Sequence, residues 1–118
     1  MCVLALVVIL AASACASDKV DAQVGARCTS ANDCTDRCLP PGPDFPGGMC
    51  SRDCNADREC PTDTLCAPVE TGVCLYSCRD DGDCGFLGSV GGIAWECRGV
   101  LSAEGDEIRI CLGPGATP

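Results

Sequence analysis

Fourteen cysteines stand in 118 residues: Cys2, Cys15, Cys28, Cys34, Cys38, Cys50, Cys54, Cys60, Cys66, Cys74, Cys78, Cys84, Cys97 and Cys111. A thiol can pair into a disulfide, ligate a metal, attack an electrophile or take a lipid, and spacing separates these chemistries. Zinc and iron–sulfur sites favour C-x2-C pairs, whose short reach brings two sulfurs to one ion. The chain contains no C-x2-C and no metallothionein-like C-x-C. The dithiol redox motif is absent for the same reason. There is no histidine, which removes Ser-His-Asp and Cys-His catalysis and every His-ligated metal site. No metal, no cofactor and no enzymatic activity are expected.

The spacing repeats. GMCSRDCNADREC (48–60) and GVCLYSCRDDGDC (72–84) both read G-x-C-x3-C-x5-C, and CTSANDC (28–34) is a third C-x5-C. In these three C-x5-C units an acidic residue, Asp33, Glu59 or Asp83, precedes the second cysteine. The chain therefore parses into four-cysteine modules over 28–53 (Cys28, Cys34, Cys38, Cys50), 54–77 (Cys54, Cys60, Cys66, Cys74) and 78–118 (Cys78, Cys84, Cys97, Cys111, then a C-terminal tail). Repeats of this length mean an array of small units differing by loop insertions. A module that closes on itself has three pairings open to it. First-to-third with second-to-fourth is favoured, because neighbours in C-x3-C or C-x5-C would close very short loops, and longer loops constrain the unfolded chain more.

Cys15 stands outside this count. The apolar run over residues 2–14 is shorter than the roughly 20 residues of a membrane-spanning helix. It has the length of a secretory h-region ending in small residues, although no Lys or Arg precedes it. Residues 1–14 are expected to form a helical signal segment. Two cleavage readings compete. Ala14-Cys15-Ala16 fits the small-x-small rule for a cut before Ser17. Ala12-Ser13-Ala14-Cys15 resembles a bacterial lipobox, with Ala12 where Leu is usual, and makes Cys15 the acylated first residue of the mature chain. Either leaves twelve cysteines, an even number suited to a disulfide framework in an exported chain; a cut before an unacylated Cys15 would leave thirteen. Residues 15–27 then read as a flexible tether.

Elements must position these sulfurs, and the composition says little else will. Residues 28–118 hold six Leu, three Ile, four Val and two Phe in 91 positions. That is below the level at which a charged chain orders itself by apolar burial, so the cystines are expected to serve as the core. Gly48 and Gly72 suggest tight turns feeding short strands. The alternating IRICL (108–112) is the best strand. SAND (30–33) and RDDGD (79–83) read as turns or single-turn helices. LPPGPDFPGG (39–48) reads as an irregular loop. The expected fold is a small disulfide-rich array of three cystine-stapled modules with short β-hairpins and little regular structure.

CNADRECPTDTLC (54–66) resembles the C-x2-D-x2-C-x2-G-x2-C pattern of Dickkopf-type N-terminal cysteine-rich domains. The cysteines and Asp57 match, and Asp63 stands at the glycine position. The repeat is also similar to cysteine-rich surface lipoproteins of bacteria. The resemblance implies a disulfide-rich repeat, and no receptor-binding motif is matched that would carry a signalling role over. EGF-like modules carry a C-x-C that is absent here.

Two further features bear on partners. The insertion at 85–96 holds Phe86 and the single tryptophan, Trp95, among glycines. It reads either as an apolar loop that docks a partner, or as a small core of Phe86, Ile93 and Trp95 under the third module. Asp80, Asp81 and Asp83 lack the spacing of a calcium loop and read as a solvated turn. The net charge of −9 and scattered basic residues argue against nucleic acid and anionic lipid headgroups as partners. The expectation is an exported, non-enzymatic, structural or binding protein at the cell surface or outer membrane. A lipid on Cys15 would hold it to the membrane, and its partner would be a surface protein or polysaccharide. The alternative is a freely secreted ligand or inhibitor.

Overall fold

The structure, a computed structural model, describes residues 20–117. The signal segment 1–14 and Cys15 lie outside the described residues. Within them every cysteine is paired: Cys28–Cys38, Cys34–Cys50, Cys54–Cys66, Cys60–Cys74, Cys78–Cys97 and Cys84–Cys111. Each module thus links its first cysteine to its third and its second to its fourth. The fold is small and disulfide-rich, built from short two-stranded antiparallel hairpins.

One plan recurs three times. A 3₁₀ segment lies between the first and second cysteines of the first two modules, Ala31–Asp33 and Asp57–Glu59, and in the third it starts there and runs past the second cysteine, Asp81–Leu87. A hairpin carries the third and fourth: β1 (Arg37–Leu39) with β2 (Met49–Ser51), β3 (Thr64–Ala67) with β4 (Val73–Tyr76), and β7 (Glu96–Leu101) with β8 (Glu107–Leu112). A minor hairpin, β5 (Ser89–Val90) with β6 (Ile93–Ala94), is inserted in the third module. Third and fourth cysteines face each other in register, as Cys38↔Cys50, Cys66↔Cys74 and Cys97↔Cys111. Opposed side chains leave the same face of a hairpin, so the two disulfides strap the 3₁₀ segment across that face. Gly48 and Gly72 are equivalent positions that make the strap fit. A β-carbon there would stand 2.2 Å from the Cys28 carbonyl oxygen or 2.6 Å from that of Cys54, closer than any side chain allows.

Each module borrows a strand from the chain before it. Cys74 N donates to Arg52 O at 3.2 Å, and Asp53 bridges Val73; Ser77 bridges Ile110, and Cys78 N donates to Arg109 O at 3.1 Å. The three residues of each C-x3-C that joins two modules, 51–53 and 75–77, therefore leave one hairpin and add an edge to the next. The first module has no module before it, and residues 20–27 take that part. Cys50 N donates to Ala26 O at 2.8 Å and Gly25 N to Cys50 O at 2.9 Å. Val24 is buried, and its carbonyl accepts the Tyr76 hydroxyl at 3.0 Å. The expected tether is thus corrected over 20–27: these residues complete the first module.

The array also closes on itself. Gly113 N donates to Asp44 O at 2.7 Å and Gly115 N to Pro43 O at 3.0 Å, so the C-terminal tail pairs with the long loop of the first module. Arg98 Nη1 donates to Gly113 O at 3.0 Å from the side. Trp95, from the third module, donates its indole N–H to Pro46 O at 3.1 Å and packs on Phe45 with ring centroids 6.3 Å apart. Leu39, Phe45, Met49, Val73, Leu75, Tyr76, Leu87, Trp95, Ile110 and Leu112 join the sulfurs in one buried cluster spanning all three modules. The expectation of a core made of cystines is corrected accordingly. Few apolar residues are present, but most of the large ones converge because the closure brings the modules' inner faces together.

Candidate interaction surface

The acidic residue before each second cysteine proves to be a backbone acceptor. Thr29 N donates to Asp33 Oδ2 at 2.9 Å, Asn55 N to Glu59 Oε1 at 2.6 Å, and Arg79 N to Asp83 Oδ2 at 2.7 Å. Each fixes the turn that follows a first cysteine, as a capping box does at a helix start. Backbone N–H groups of Thr29 and Ser30 hold the Asp33 carboxyl below the usual carboxylate range. A second carboxylate, three residues after the first cysteine, reaches the hairpin. Asp57 Oδ1 accepts Cys66 N at 2.9 Å and Asp81 Oδ1 accepts Cys97 N at 2.8 Å. Asp80 Oδ1 accepts Asp83 N at 3.2 Å. Asp80, Asp81 and Asp83 are therefore all engaged in backbone caps. Asp63, at the glycine position of the Dickkopf-type pattern, has φ 71°. The backbone there is left-handed, which Gly adopts freely and Asp tolerates better than most residues.

The sulfurs are equally occupied. Those of Cys28, Cys34 and Cys38 lie within 4.8 Å of one another, as do those of Cys54, Cys60 and Cys74, and those of Cys78, Cys84 and Cys111. These clusters are two stacked disulfides per module, and an oxidised sulfur lacks the thiolate charge that metals require.

What remains for recognition is the surface. Trp95 is only 4% exposed, and the expectation that it docks a partner is corrected: its ring fills the joint between the first and third modules. The alternative of a core of Phe86, Ile93 and Trp95 under the third module also fails in part, because Phe86 and Ile93 are each 40% exposed. Phe86 stands edge-on to Tyr76, with centroids 4.9 Å apart. Val90, 41% exposed, and Ile93 flank the Gly91-Gly92 tip of the minor hairpin. Arg27 Nη2 donates to Ser89 O at 3.3 Å and puts an exposed cation at the margin. Phe86, Val90 and Ile93, with Arg27 beside them, account for three of the four exposed large hydrophobic side chains among the described residues; the fourth is Leu101, on β7. Sequence reasoning singled out Phe86 and missed Val90 and Arg27. The alternation of Ser89-Val90 and Ile93-Ala94 about two glycines was the available hairpin signal.

Comparison with known proteins finds no matching family model, no matching curated protein and no matching solved structure. The fold and its six disulfides define a small cystine-rich protein of extracellular type, since such frameworks form and persist in oxidising compartments. Among the described residues no helix is long and apolar enough to cross a membrane.

Proposed function

We propose that the chain is an exported, lipid-anchored, non-enzymatic protein of the cell surface, with a structural or adhesive role toward a surface protein or polysaccharide. The carrying observation is the cysteine accounting. All twelve cysteines from Cys28 to Cys111 are consumed inside the modules. Cys15, which follows three small residues at the end of an apolar leader, is left with no partner in that set, and acylation gives it a use. The non-enzymatic reading is supported by the occupation of five carboxylates near the cysteines, Asp33, Asp57, Glu59, Asp81 and Asp83, which are spent on backbone caps.

The test is the partition of the full chain, expressed with its leader, against a Cys15→Ala variant. The wild type is expected in the membrane fraction and the variant in the soluble extracytoplasmic fraction. Recovery of the wild type as soluble protein would favour the freely secreted ligand or inhibitor instead.

A further inference from the structure

The body of the protein begins close to its own apolar surface. Val20 Cγ1 and the Tyr76 hydroxyl oxygen lie on the same side of Gly25, 2.3 and 2.6 Å from where its β-carbon would be, which puts the two within about 5 Å of each other. The Tyr76 ring in turn carries Phe86 at 4.9 Å. Two residues beyond Gly25, Arg27 holds the Ser89 carbonyl of the minor hairpin. The chain therefore enters the fold beside Tyr76, on which Phe86 stands, and by Arg27 reaches the hairpin that carries Val90 and Ile93. Between Cys15 and Val20 there are five residue steps, an extended reach of about 17 Å at 3.3–3.6 Å each.

We propose that this face, Phe86, Val90 and Ile93 with Arg27 at its margin, rests on the bilayer that holds the Cys15 lipid. The inference depends on the anchor reading above. With residues 20–27 built into the first module, the tether is too short for the array to stand well off the membrane. The surface nearest its entry meets the lipid interface first. Apolar side chains settle at the headgroup–acyl boundary, and an Arg can keep its charge among phosphates while its stem lies along them. The acyl chains make docking intramolecular, so a small patch suffices. The net charge of −9 matches a zwitterionic bilayer better than an anionic one.

The full chain, its Cys15 acylation read by intact mass, is placed on phosphatidylcholine vesicles for amide hydrogen exchange. The reference is the Cys15→Ala chain free in solution. Exchange over residues 85–94 is expected to slow several-fold on vesicles, with the 102–106 turn unchanged. An acylated Val90→Ser/Ile93→Ser variant should lose the slowing while keeping its melting temperature. Unchanged exchange in a chain that carries the lipid overturns the docking and leaves the anchor intact. A mass without acyl groups overturns the anchor, and the docking with it. Slowing that appears without vesicles and grows with protein concentration assigns the face to a second copy and also overturns the proposal.

Discussion

Asp57 and Asp81 each tie a 3₁₀ segment to the hairpin it lies on, by accepting the backbone N–H of the third cysteine. A hydrogen bond to a charged acceptor contributes about 1.5–3 kcal/mol when shielded and less where water competes. Asp57→Ala and Asp81→Ala should therefore each lower stability by about 1 kcal/mol, read as a shift in denaturant midpoint with the disulfides intact and the slope unchanged. In the first module the equivalent position is Ala31, so that unit relies on Asp33 alone. Tyr76 sets a limit on the alkaline side. Burial and then the charges of Asp21 and Asp63 push its phenol up to about 12 from 10.0. The folded state holds this proton more tightly than the unfolded chain does. The contribution is therefore complete below pH 10 and is lost as pH rises from there through about 12. An alkaline titration of the melting temperature should fall across that window, and Tyr76→Phe should flatten the fall. The repeated acid before each second cysteine was visible in the sequence. Its role was not, because a carboxylate that caps a turn and one that faces water look alike until the backbone is placed.

At the scale of elements, the structure turns on two docked segments that carry no cysteine. The loop 39–48 has the composition of an irregular connection, yet it supplies Phe45 to the Trp95 joint and receives the C-terminal tail. Removing the indole leaves a cavity at that joint and frees the Pro46 carbonyl. Trp95→Ala should cost about 3–5 kcal/mol, whereas Ile93→Ala on the exposed hairpin should stay within about 0.5 kcal/mol. Thermal melts of the two variants measure the contrast. The tail is as demanding: a β-carbon at Gly113 would stand 2.1 Å from the Pro43 carbonyl oxygen, so Gly113→Ala should release the tail. That is read as faster amide exchange at residues 113 and 115. The hairpins were legible because cysteine spacing, turn glycines and the alternation of IRICL act within a dozen residues. The closure was not, since it pairs residues 43–44 with 113–115, and no local pattern encodes so distant a contact. The entry segment, residues 20–27, lay between these cases. Residues 25–27 precede Cys28 as 51–53 precede Cys54, but without a preceding module they read as linker.

Taken whole, the molecule is an array in which each hairpin lends a strand to the next, the first is completed by residues 20–27, and the tail of the last returns to the first. Each disulfide contributes roughly 2–4 kcal/mol, and the shared apolar cluster fixes how the modules sit together. Such a body is suited to an exposed, oxidising and protease-rich surface. In the reading proposed above, its place there depends on Cys15, which like Cys2 lies outside the twelve-cysteine framework. Intact-mass analysis of the mature protein tests this most directly. The expected product is a chain that starts at Cys15, carries two or three acyl groups and lacks the hydrogens of six disulfides. An unmodified chain that starts at Ser17 would contradict it.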